Sequence, residues 1–147
     1  MITSWLRLSW QDNMNISKLF YLAKLASRFS NYDRATSRHV GCVIVYKNKV
    51  ISIGWNCKKE HPEQKKYNKE RGFNTDSCKN SLHAEMYALI KCKDYDVDWG
   101  RVEVCVYREF SNGKIALAKP CKACQKALQE RGIKQKNIHY TVGCFYK

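Results

Sequence analysis

Two short motifs do most to limit how this chain can fold: His83-Ala84-Glu85 and Pro120-Cys121-Lys122-Ala123-Cys124. Each stands where a helix begins. From Leu82/His83 to Lys93 an apolar face repeats at helical spacing through Ala84, Tyr87, Ala88 and Leu89/Ile90. Pro120 suits a helix start, because its missing N–H has no intrahelical partner there, and Gly132 closes the helix that follows. One β-like run, Arg101–Arg108, separates the two motifs.

The residue types explain what such a pair of helix starts could do. Cys121 and Cys124 are three apart and share a face in a first turn, where the helix N-terminus favours thiolate over thiol. Two thiolates make half of a zinc site, and His83 offers a third ligand. Three protein ligands leave a fourth position open for water, as catalytic sites do. With two thiolates and one neutral imidazole, bound Zn²⁺ is close to neutral overall and still lowers the pKa of its water. Glu85, two residues from His83, is placed to move protons beside that water. Two other readings stay open: a structural four-ligand zinc that recruits another Cys such as Cys92, and a redox-active Cys-x-x-Cys.

The rest of the chain reads as α/β, in the order αββαβαβ. Ile16–Phe29 is a helix with Asn15 as N-cap. Val40–Tyr46 and Val50–Trp55 form a hairpin about Lys47-Asn48-Lys49, and Lys136/Asn137–Val142 is the last strand. Strand-helix-strand units imply parallel pairing with right-handed crossovers. Residues 57–81 read as a long polar loop with some helix. Ser111-Asn112-Gly113-Lys114 is a turn. No linker or repeat divides the 147 residues, so we expect one domain over 1–147, a central mixed sheet flanked by helices in three layers. Met14 offers an alternative start, with residues 1–13 as an extension.

Composition removes several classes. An apolar fraction of 44% argues against disorder, and seven Gly with two Pro exclude collagen-like and low-complexity chains. The longest apolar run, Val40–Tyr46, is far short of a bilayer span. Arg7 interrupts the N-terminal apolar stretch, and no cleavage site follows it. The eight cysteines therefore read as thiols in a reducing, cytoplasmic setting, with Cys42 and Cys105 as small buried hydrophobes. The net charge of +14 attracts polyanions.

With H-A-E followed by P-C-x-x-C, and with the αββαβαβ order over Ile16 to Cys144, the chain resembles the cytidine/deoxycytidylate deaminase superfamily. The resemblance implies a sheet flanked by helices, with Zn²⁺ as cofactor between two helix starts. His83, Cys121 and Cys124 would be its ligands, and Glu85 the proton shuttle. It implies hydrolytic loss of ammonia from an aminated pyrimidine or purine, and a homo-oligomer. Gly54-Trp55-Asn56 resembles the Gly-aromatic-Asn of deoxycytidylate deaminases and implies Asn56 as a substrate ligand, with Trp55 and Ala84 beside it. The alternative for Gly54 and Asn56 is strand termination. Cys57, His61 and Cys78 bracket the long loop where some relatives hold extra zinc; the alternative is ordinary loop residues.

For the substrate, a cytosine nucleotide of the dCMP/CMP type stands first. Single-stranded DNA or RNA stands second, on the charge and on Trp55, Tyr67 and Phe73 among Lys58, Lys59, Lys65, Lys66, Lys69 and Arg71. The alternative for that loop is a solvated lid. A zinc-stabilised nucleic-acid-binding module without turnover stands third, and Glu85 argues against it.

Overall fold

The computed structural model describes residues 15–30, 39–71 and 81–143. Asn15 caps helix α1 (Ile16–Ser27) by accepting the Ser17 N–H. Strands β1 (His39–Tyr46) and β2 (Lys49–Trp55) pair antiparallel about Lys47 and Asn48, both at positive φ (52° and 63°), the type I′ geometry that matches strand twist. Helix α2 (Pro62–Asn68) and a 3₁₀ turn (Lys69–Arg71) occupy much of the expected loop. Helix α3 (Ala84–Lys91), strand β3 (Glu103–Glu109), helix α4 (Lys122–Arg131) and strand β4 (Ile138–Tyr140) complete the described chain.

The sheet order is β2-β1-β3-β4. Expected parallel pairing holds for β3 with β4 across α4. It does not hold across α3: β1 lies between β2 and β3 and pairs antiparallel with both. The sheet is therefore mixed. The last strand is shorter than expected, because residues Gln135–Asn137 form a 3₁₀ turn before it.

Alternation along β1 sets the layers. Val43 and Val45 join Leu19 and Ala23 of α1, with Cys105 and Tyr107, on one face. Cys42 and Ile44 join Ala84 and Ala88 of α3 and Leu128 of α4 on the other. Two glycines let helices lie against the sheet backbone. A Cβ at Gly41 would collide with Ala23 O and Ser27 N of α1, and one at Gly54 with Ala84 O and Ala88 N of α3. Among the described residues, no helix is long and apolar enough to cross a membrane.

Candidate metal centre

His83 and Cys121 are the N-caps of α3 and α4. Both have extended backbones, and neither side chain makes a capping hydrogen bond. The imidazole and the thiol are thus not spent on closing their helices. Leu82 and Ala84, each 1% exposed, fix the start of α3, and the Gly54 contact seats it on β2. The start of α4 is fixed by Gln125, whose N–H donates to Cys121 O and whose Nε2 donates to Pro120 O, both at 2.8 Å.

Two separated motifs converge as a result. His83 Nδ1 lies 3.5 Å from Cys121 Sγ and 3.5 Å from Cys124 Sγ. All three donor atoms lie within 4.8 Å of one another. A tetrahedral ion with Zn–N near 2.0 Å and Zn–S near 2.3 Å needs an N···S edge of about 3.5 Å. The donor set therefore fits zinc in chemistry and in spacing. Cys92 does not join it: the fully buried thiol lies past the far end of α3, where it donates to Ala88 O. Among the described residues, this is the one group of His, Cys, Asp and Glu that could hold a metal.

The electrostatics suit metal ligation. The Cys124 S–H first, then His83, holds the Cys121 thiol well below the usual range, against the opposing effect of burial. Cys124 is pushed the other way, by Cys121 first and then by burial. Both thiols give up their protons when they ligate a dication. Glu85 is 5% exposed, and burial raises its carboxyl above the ordinary value while His83 and Arg108 pull it down. Its charge acts in the same direction as burial on Cys124 and on Cys42 of β1, raising both thiols.

The other expected residues lie around this centre in different ways. Asn56 Oδ1 accepts the Val40 N–H at 2.9 Å, an observation that favours strand termination. The Trp55 ring packs between Phe29 and Tyr87, with Lys91 Nζ 4.5 Å from its centroid. Ala84 is buried under the β2 contact. His61 caps α2 by accepting the Glu63 N–H, Cys57 is buried, and Cys78 and Phe73 lie outside the described residues. Tyr67 O–H donates to Glu130 of α4 at 2.6 Å, so its ring serves a helix contact.

Three residues close to His83 were missed as a group. Gln64 and Asn68 of α2 are fully buried, and Gln64 Oε1 accepts the His83 N–H at 3.0 Å. Arg71 Nη1 lies 3.2 Å from His83 Nε2. The available signal was His61-Pro62, a cap followed by Pro at a first helical position, which marks a helix inside the polar loop.

The profile of the cytidine and deoxycytidylate deaminase zinc-binding region matches residues 14–140. No curated protein matches. Among solved structures, dCMP deaminase from the cyanophage S-TIM5 in apo form is similar at TM-score 0.56 and 24% identity, over 86% of this chain and 82% of that one. The same enzyme in complex with dCMP and dUMP is similar at 0.54 and 24%, over 84% and 78%. Cytidine deaminase from Burkholderia pseudomallei is similar at 0.51 and 24%, over 78% and 75%. At these identities the likeness is one of fold.

Proposed function

This chain belongs to the cytidine and deoxycytidylate deaminase family, and on that premise we propose that it deaminates a cytosine nucleotide of the dCMP/CMP type. The observation that carries this reading is the convergence of His83, Cys121 and Cys124, with Glu85 buried in the first turn of the helix that His83 caps. A structural zinc site is closed by four ligands and gains nothing from a sealed carboxylate next to an open position.

In the proposed mechanism His83, Cys121 and Cys124 hold the ion, which when bound supplies a water acidic enough to be deprotonated near neutral pH. Glu85 would accept a proton from the water that adds to C4 and deliver it to N3. The carboxylate then takes the hydroxyl proton and passes it to the C4 amine. The C4–N bond breaks, C4=O forms, and ammonia leaves. Burial suits the first of these duties, since a raised carboxyl pKa makes the carboxylate a better proton acceptor. The nucleotide preference draws on the dCMP and dUMP bound in the similar cyanophage structure.

The net charge of +14 favours a second reading, cytosine or adenine in single-stranded DNA or RNA. Ammonia release and product mass test both, with dCMP, CMP, cytidine and a cytosine-containing oligonucleotide offered to zinc-loaded protein. We expect dCMP or CMP to yield dUMP or UMP. Turnover of the oligonucleotide alone would replace this reading by the second, and turnover of none would end both.

A further inference from the structure

Helix α2 hides a polar face. Gln64 and Asn68, one turn apart, are fully buried, while Lys65, Lys66 and Lys69 on the same stretch are exposed. Gln64 uses both ends of its amide. Oε1 accepts the His83 N–H at 3.0 Å, and Nε2 donates to Asn68 Oδ1 at 2.8 Å. Asn68 Oδ1 also accepts from Arg71 Nη1 at 3.3 Å. The helix is anchored independently to α4, through Tyr67 and Glu130. It thus contacts both helices that carry the three donor atoms.

We infer that α2 is a positioning element for the metal centre, with Gln64 and Asn68 as positioning residues that fix the His83 backbone relative to Cys121 and Cys124. This rests on the proposed reading of that centre as a deaminase zinc site. The lever is short. His83 is the N-cap, so its N–H lies outside the helical ladder and needs another acceptor. Gln64 supplies it, and so sets where Nδ1 points. Asn68 holds the Gln64 amide in the orientation that presents Oε1 to His83.

Arg71 plays a different part. A guanidinium only donates, so its contact uses the Nε2 lone pair of His83. Ligation through Nδ1 instead puts the neutral ring's hydrogen on Nε2. The ring contact and ligation are alternatives, whereas the backbone bond from His83 to Gln64 is compatible with either.

The test uses Gln64→Met, Asn68→Leu and Asn68→Asp in the full chain. Zinc affinity is read by competition with a chromophoric chelator, geometry by the absorption bands of Co²⁺-loaded protein, and folding by the melting of each metal-free variant. We expect Gln64→Met and Asn68→Leu to lose about 10–100-fold in zinc affinity and to shift the cobalt bands. Asn68→Asp keeps an acceptor for Gln64 and Arg71, so it should stay within about threefold of wild type. If Gln64→Met does not fold, the two Asn68 variants decide. Wild-type affinity and cobalt bands in folded Gln64→Met or Asn68→Leu would overturn the inference. So would a loss of affinity that only tracks melting while the bands stay unchanged, or a wild type that binds no zinc. Zinc binding without turnover of any cytosine nucleotide would overturn the proposed function instead, and these metal readouts would still decide the role of α2.

Discussion

The proposed mechanism gives Glu85 and Cys121 separable roles. Glu85→Gln keeps the shape and removes the proton acceptor. We expect it to retain zinc and fold while turnover falls by about 10²–10⁴-fold. Cys121→Ala removes a ligand and should lose both zinc and turnover. Zinc content, circular dichroism and kcat measured on both variants check the contrast. Equal kcat in wild type and Glu85→Gln would remove Glu85 from the mechanism. The convergence of His83, Cys121 and Cys124 was legible in the sequence because each motif packs its chemistry into one helical turn, and the Pro and His-x-Glu contexts mark where those turns begin. Gln64 and Asn68 were not legible. Sequence reading finds buried faces by apolar periodicity, and this face is buried through amide hydrogen bonds. Asn56 shows the converse: its resemblance points to substrate, while its carbonyl oxygen is engaged by the β1 backbone.

Between elements, two contacts decide whether the helix starts meet. The first is α3 on β2. Gly54 has no side chain where Ala84 O and Ala88 N approach, and backbone atoms cannot rotate away. Gly54→Ala should therefore cost about 1–3 kcal/mol by overpacking. It should also move the α3 start that carries His83 and Glu85, so activity should fall along with the melting temperature. An active variant of unchanged Tm would contradict the close approach. The second contact is α2 on α4. Burial and the bond to Glu130 push the Tyr67 hydroxyl up to about 12, with the Glu130 bond the larger cause. A folded-state value raised above the ordinary 10 adds stability fully present below pH 10, and that stability is lost as pH rises through about 12. Urea unfolding of wild type and Tyr67→Phe should differ by about 1 kcal/mol at pH 8, and the difference should have shrunk markedly by pH 12. A gap undiminished at pH 12 would mean the hydroxyl is not what ties the helices. Sequence periodicity revealed most of these elements, but not how β1 enters between β2 and β3. That pairing is non-local, and a hairpin followed by a helix is compatible with either neighbour. Some helix was expected in the long loop, but the place of α2 within it was not legible for a related reason, its inward side being polar and its outward side charged.

Across the molecule, the positive charge and the metal centre make separate demands. Lys58, Lys59, Lys65, Lys66 and Lys69 are exposed around and along α2, and Lys119, Lys122 and Lys126 around the start of α4. The helix whose buried side reaches His83 therefore carries a basic outer side. Composition alone could not say whether this charge serves a substrate or only attracts polyanions, since both produce the same count. Salt separates them. Binding of a single strand that displaces counterions from Z phosphates weakens with a log–log slope near −0.7Z, whereas a mononucleotide presents one phosphate. On the proposed function, kcat/KM for dCMP should fall less than about tenfold between 50 and 500 mM salt, while binding of a cytosine-free oligonucleotide falls steeply. Lys65→Gln with Lys66→Gln should then flatten the oligonucleotide slope by up to about 1.4 and leave dCMP turnover intact. If dCMP is inert and oligonucleotide deamination itself follows the steep slope, the basic outer side of α2 belongs to the substrate groove, and polynucleotide becomes the substrate of this centre.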